Sequence, residues 1–302
     1  MKKLILLLLL LISGSAAAEC ISPTTGLPIP NQPTAPVIAS VSNGKVQPWG
    51  VELADIVYES LIYESGTTRF AFLFHDALVK GTHVETGPVR SPREFHAQLM
   101  KEWQAGLIAN GSSRGNQAVA PGLKDNGGWF LNTYEGRGRQ CSSRVQGKKA
   151  PDNMNVSISA VHMALPANTF EAEGFSFGTM AEPLPQTGTI RLHWGEKGKD
   201  SVFFYIDGGY VREGWEGSFA NVIVQWVDYA CMGRADRHML PVPGSGEAVV
   251  FTGGRMMQGR WEKKEEDGKT FFYDENDEEI KICTGRTFIA HLPVKSGRLA
   301  YQ

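Results

Sequence analysis

The alternation of apolar and polar positions divides the chain into three regimes. Residues 4–12 are an unbroken apolar run behind Lys2 and Lys3, followed by the small residues Ala16, Ala17 and Ala18. Between residues 37 and 166 strand-like runs mix with one clear helical stripe. Val37–Val41, Ala54–Tyr63, Thr68–His75 and Ala105–Ala109 read as strands. In the third of these, Phe70, Phe72 and Phe74 share one face, with Arg69, Ala71 and Leu73 on the other, because side chains alternate along a strand. Phe95, Leu99 and Trp103 then recur every fourth residue, the signature of a helix with one buried stripe. Ser91 and Glu94 have capping-box spacing and Pro92 falls at the first helical position, so the spacing predicts a helix from there to near Gln104. Strand, helix, strand implies a parallel crossover in this half. Ser157–Leu165 is a second, shorter helix candidate.

From Thr189 onward the period becomes two. Ile190–Trp194, Val202–Ile206, Tyr210–Trp215, Asn221–Val227, Ala248–Thr252, Gly259–Lys264, Thr270–Asp274, Glu279–Cys283 and Thr287–Leu292 are strand candidates, separated by turn residues such as Gly253-Gly254 and Thr284-Gly285. The fold class expected is α+β: an N-terminal α/β domain followed by a mostly antiparallel, β-rich C-terminal domain. The division expected is a signal peptide at 1–18, an extended proline-rich arm at 19–36, the α/β domain at 37–166, a linker at 167–188 and the β-rich domain at 189–302.

The leading apolar run is shorter than the ~20 residues that span a bilayer, and with its flanks it reads as a cleavable export signal. The protein is therefore expected in the periplasm or cell envelope, soluble after cleavage, with no transmembrane span. Cys20 raises the alternative of a lipid anchor. Glu19 argues against it, because it occupies a position where lipid-modified cysteines need a small residue. The chain has 32 acidic and 30 basic residues, and cleavage removes Lys2 and Lys3, so there is no basic excess of the kind nucleic-acid binders carry. Export permits disulfides among the four cysteines. Their positions favour Cys231 with Cys283 and Cys20 with Cys141, against the alternative that one pair is free and buried.

Candidate chemistry centres on arginines. Arg90 and Arg93 flank the helix start, where cations are disfavoured by roughly 0.3–1 kcal/mol each, and Arg69 ends an apolar strand. Two readings follow: structural ion pairs with Asp55 or Glu59, or a site for an anionic ligand. The basic run Arg137, Arg139, Arg144, Lys148 and Lys149 reads as a solvated loop or as the wall of an anion-attracting cleft. Gly111-Ser112-Ser113-Arg114-Gly115 has the pattern of a nucleophile elbow, and His162, His193, His238 or His291 offers a base, but no residue singles one out. No histidine or cysteine spacing suits a metal, Asp274–Glu279 reads as a hairpin turn, and no phosphate-binding loop or dinucleotide fingerprint occurs. No cofactor is implied.

Several segments together resemble the YerB-like family. They are Thr24–Leu27, Pro48 with Ala54–Glu59, Thr68–Phe70, Gly87–Ser91, Lys149–Asn153, Tyr210–Arg212, Asn221–Gln225, Gly244–Gly246, Trp261 and the series from Tyr273 to Phe288. The resemblance implies bacterial envelope lipoproteins with an α/β and a β-rich domain, a domain of unknown function and no established activity. This chain departs from the pattern at Glu19, and at Asp152, where the family places a histidine. The leading expectation is an exported protein that binds anionic, phosphate- or carboxylate-bearing envelope material through Arg69, Arg90 and Arg93, with Ser112 and Ser113 nearby. The alternatives are a hydrolase or transferase using Ser112 or Ser113, and a scaffold for another envelope protein whose arginines are structural.

Overall fold

The structure is a computed structural model and describes residues 20–111, 127–167, 170–178, 186–231, 238–240 and 243–302. Ten strands form one sheet. They are β1 (Val37–Ser42), β2 (Ile56–Tyr63), β3 (Thr67–Phe74), β4 (Gly106–Ala109), β5 (Phe130–Asn132), β6 (Asn221–Val227), β7 (Gly244–Thr252), β8 (Arg255–Lys263), β9 (Phe271–Tyr273) and β10 (Thr287–Pro293). Their spatial order is β9-β8-β7-β6-β10-β2-β3-β1-β4-β5. The C-terminal strand β10 lies parallel to both neighbours, with β6 on one side and β2 on the other. The two halves of the chain therefore share one hydrogen-bonded sheet.

Strand accounts for 42% of the described residues and helix for 11%, so the fold is predominantly β, with helices as covers rather than as a layer in alternation. The N-terminal half is less α/β than its pattern suggests. β2, β3 and β1 are antiparallel neighbours, and β4 lies parallel to β1 and β5 rather than beside β3. Glu279–Cys283 makes only isolated bridges instead of a strand.

The alternation in β3 holds. Phe70, Phe72 and Phe74 enter one core with Trp194, Phe203, Trp215, Phe219 and Phe288, under a four-stranded sheet of Gly209–Arg212, Ser201–Ile206, Thr189–His193 and Arg298–Tyr301. Ala71 and Leu73 enter the other core, beneath helix α1 (Glu94–Glu102). Phe95, Leu99 and Trp103 of α1 are buried there, and Phe175 of the segment 170–178 packs on Trp103. The short helix α2 (Ile158–Ala164) buries Ile158 and Val161 on the opposite face of the sheet. No described helix is long and apolar enough to cross a membrane.

α1 begins later than the capping-box spacing predicts. Its N-cap is Arg93, whose backbone N–H donates to Nδ1 of His96 at 3.0 Å. Ser91 does not cap because its hydroxyl donates to the carbonyl of Asn110 and its own carbonyl is taken by other donors. The cysteine pairing also differs from expectation: Cys20, Cys141 and Cys283 are free thiols. Cys283 is tied by its N–H to Asn221 and Thr252 at the start of β6, whereas Cys231 lies beyond the other end of that strand. Seven residues of strand at ~3.3 Å each stand between the two positions, so no bridge can close.

Candidate functional site

Two of the three arginines, Arg69 and Arg93, converge on one carbonyl, and Arg90 lies beside them. Nη1 of Arg69 donates to the carbonyl of Ser91 at 2.8 Å, and Nη1 of Arg93 donates to the same oxygen at 3.2 Å and to the carbonyl of Pro92 at 3.0 Å. Oγ of Ser40 donates to it as well, at 3.1 Å. The segment is stitched between strands: the N–H of Arg90 donates to the carbonyl of Ser40 in β1, and the N–H of Asn110, after β4, donates to the carbonyl of Arg90. Both backbone groups of Arg90 are thus spent, and its direction is set by the sheet.

Charge is unevenly compensated here. Arg90 pairs with Asp152, Nη1 to Oδ1, at 2.7 Å, and both side chains are partly exposed. Asp152 is thus the partner of Arg90 in place of Asp55 or Glu59. Arg69 is buried and has no carboxylate within 4.0 Å among the described residues, and its Nε has no hydrogen-bond partner there. Burial, then Arg93, then Arg90, pulls its pKa down to about 9. A buried guanidinium beside two others favours any anion that can approach.

Glu59 and Asp55 lie elsewhere. Glu59, fully buried, accepts from Asn43 at 2.9 Å, Thr68 at 2.7 Å and Ser201 at 2.7 Å, with Nη2 of Arg212 at 3.9 Å. Burial pushes its pKa up, and Arg212 with the hydrogen bonds opposes that. Its ion partner comes from the C-terminal half of the chain, stacked on Trp215 at 4.3 Å.

Asp55 accepts from the backbone N–H groups of His75 at 2.7 Å and Asp76 at 2.9 Å and from Thr24 at 3.2 Å. Asp76 accepts from Ser22 at 2.5 Å, Thr25 at 2.6 Å and Nδ1 of His75 at 2.9 Å. Oxygen and nitrogen atoms of Asp55, His75 and Asp76 lie within 4.8 Å of one another, the spacing of metal ligands. The donor set is already consumed. Nε2 of His75 accepts the N–H of Thr34 at 3.4 Å, so Nδ1 carries the proton and gives it to Asp76. The cluster holds the N-terminal arm rather than offering open coordination.

The nucleophile candidates Ser112 and Ser113 lie outside the described residues. Of the candidate bases, His162 meets Thr34, His193 meets Asp200, and the His238 side chain lies outside the described set. Nδ1 of His291 is 2.6 Å from Oγ of Ser60, a contact with nucleophile–base geometry. Ser60 is 0% and His291 2% exposed, so no substrate reaches them. Burial and Lys263 push the imidazole down to about 3 and keep it neutral, so this is a core hydrogen bond.

Fold and site together define a predominantly β protein with three neighbouring arginines at a strand–helix junction, of which Arg69 is buried with no carboxylate within 4.0 Å among the described residues. The chain belongs to the DUF3048 family: residues 24–171 match the N-terminal domain and residues 189–289 the C-terminal domain, each described as a protein of unknown function. Its fold is similar to the crystal structure of the YerB protein from Bacillus subtilis, with a TM-score of 0.77, 19% sequence identity, and 93% of this chain and 100% of that chain covered. No curated protein matches it.

Proposed function

We propose that this protein is exported, with residues 1–18 removed, and binds a phosphate- or carboxylate-bearing ligand of the cell envelope through Arg69, Arg90 and Arg93. The observation that carries the reading is Arg69, a buried guanidinium with two arginine neighbours and no carboxylate in reach among the described residues. A group in that state lowers stability, and proteins tolerate such cost at binding sites. Guanidinium forks match phosphate and carboxylate oxygens. Arg90 is partly exposed, and its partner Asp152 is one that an incoming anion would exchange with.

The test is thermal unfolding of the mature protein with and without inorganic phosphate, citrate and anionic envelope fragments. A ligand at a hundred times its dissociation constant adds about 2.7 kcal/mol. Arg69→Met replaces the guanidinium with an apolar chain of similar reach. The expected result is a ligand-free stability equal to or above the wild type and loss of the anion-induced shift. A variant that melts early, or one that keeps the shift, overturns the reading.

A further inference from the structure

A concavity lies next to the segment that carries Arg90. It is a groove of about 380 Å³ lined by Thr133, Tyr134, Arg139, Ser142, Ser143 and Arg144, with Met154 at its base. Two guanidinium-bearing residues and four hydroxyl-bearing ones line it, and no carboxylate does. Glu135 follows Tyr134 in the chain but is not part of the lining. The Arg139 side chain is exposed and makes no hydrogen bond or ion pair with any described residue. Arg144 is steadied by Asn153, Nη1 to Oδ1 at 2.6 Å.

The groove touches the arginine cluster on two sides. Thr133 donates through Oγ1 to Oδ1 of Asn110 at 2.6 Å, and Asn110 is bonded to the backbone of Arg90. On the other side Met154 accepts the N–H of Val89, the residue before Arg90. Tyr134, 62% exposed, packs its ring over Gly111. A Cβ at Gly111 would lie 2.8 Å from that ring and 3.9 Å from Oγ of Ser91, the residue whose carbonyl gathers Arg69 and Arg93.

We propose that the groove and the arginine cluster are two stations for one linear polyanion, a polymer with oxyanions repeated along its length, whose successive acid groups are held first by Arg69 and Arg90 and then by Arg139 and Arg144. This rests on the anion-binding reading above and names its ligand as a polymer rather than a single small anion. The hydroxyls of Tyr134 and Ser143 supply neutral donors to oxyanions between the guanidiniums, as hydroxyl side chains do on phosphate backbones, while those of Thr133 and Ser142 are spent on Asn110 and on the carbonyl of Arg139. Linked contacts convert the second binding event into an intramolecular one, so a polymer gains over a single anion without new chemistry.

The experiment is titration calorimetry of the mature chain at fixed salt against inorganic phosphate, medium-chain polyphosphate and polyglutamate. The polymers are expected to bind about a hundredfold tighter than inorganic phosphate, the low end of what two linked contacts supply. Phosphate and carboxylate polymers share the chemistry, and the two arms tell which source fits. Arg139→Ala, at an exposed position with no side-chain partner among the described residues, is expected to remove most of that gain and bring the polymers close to the affinity of inorganic phosphate. Equal affinity for monomer and polymer, or a gain that survives Arg139→Ala, would overturn the two-station arrangement. A single-stranded DNA oligonucleotide bound more tightly than polyphosphate would overturn it in favour of nucleic acid. Failure of the arginine-cluster reading is a different result: Arg69→Met then leaves inorganic phosphate binding intact while Arg139→Ala still weakens the polymer.

Discussion

Arg90 and Arg212 are both paired arginines, and their surroundings give them opposite weights. Arg90 meets Asp152 with both side chains partly in water, where an ion pair contributes about 0.2–1 kcal/mol. Arg90→Ala is therefore expected to cost no more than about 1 kcal/mol in equilibrium urea unfolding of the ligand-free protein. Arg212 faces the fully buried Glu59, and Arg212→Met strands that carboxylate. The expected loss at neutral pH is about 3–5 kcal/mol. That loss should shrink as pH falls, because burial raises the pKa of Glu59 and protonation removes the stranded charge. The sequence shows that Arg69, Arg90 and Arg93 end neighbouring elements, and the structure brings Arg69 and Arg93 to one carbonyl with Arg90 beside them. It does not show their partners. Asp152 is 62 residues beyond Arg90 and Arg212 lies in the other half of the chain, separations over which local pattern carries no information.

The N-terminal arm is the element whose role was least legible. Its prolines predict an extended segment, but composition reports propensity and not what the chain lies against. Ser22, Thr24 and Thr25 are buried, with their hydroxyls on Asp76 and Asp55, and Thr25 and Pro23 accept backbone bonds from Gly285 and Phe175. Thr25→Val leaves an oxygen of Asp76 short of a donor and is expected to cost about 1–3 kcal/mol by urea unfolding. The latch also carries a pH dependence. Burial, then Asp76, raises the pKa of Asp55 from 3.8 to about 7, so the folded chain keeps a proton that the unfolded chain has released. This contribution to stability is fully present below about pH 4 and is lost as pH rises through about 7. Asp76 acts in the opposite direction and in another window. Burial raises its pKa, but His75, Ser22 and Thr25 outweigh that and hold it below 3.8, so its contribution is lost only as pH falls further. Asp55→Asn is expected to flatten the decline in stability between about pH 4 and pH 7, with denaturant midpoints across that range as the measurement. An unchanged slope would place the proton on another group. By contrast, the strands β1, β3 and β6 and the stripe of α1 were legible residue by residue, because periods of two and near four are written in consecutive side chains.

At the scale of the whole molecule, what the polarity pattern could not show is the order of strands. Period two says that a residue faces a core, and it is silent on which strand lies alongside. The chain changes character near residue 189, and the family matches break at the same place, yet the ten-stranded sheet runs across that break. β10, from the far end of the chain, is inserted between β2 and β6, with Thr287, Phe288 and Ile289 in register with Ile56, Val57 and Tyr58 on one side and Asn221, Val222 and Ile223 on the other. Without it, β2 would present an unpaired edge of buried apolar residues, and Phe70, Phe72 and Phe74 would lose Phe288 from their core. The Glu59–Arg212 pair and the arm's bond from Gly285 cross the same boundary. The full chain is therefore expected to unfold in one calorimetric transition with all probes coincident. A fragment of residues 20–166 expressed alone should lack the hydrogen-exchange protection of β2 and associate through its open edge. Supplying residues 189–302 as a separate chain should restore protection at Val57 and Tyr58 if β10 is what closes the sheet. Two resolved transitions, or a protected and monomeric N-terminal fragment, would show instead that each half completes its own core and that β10 only docks the finished pieces.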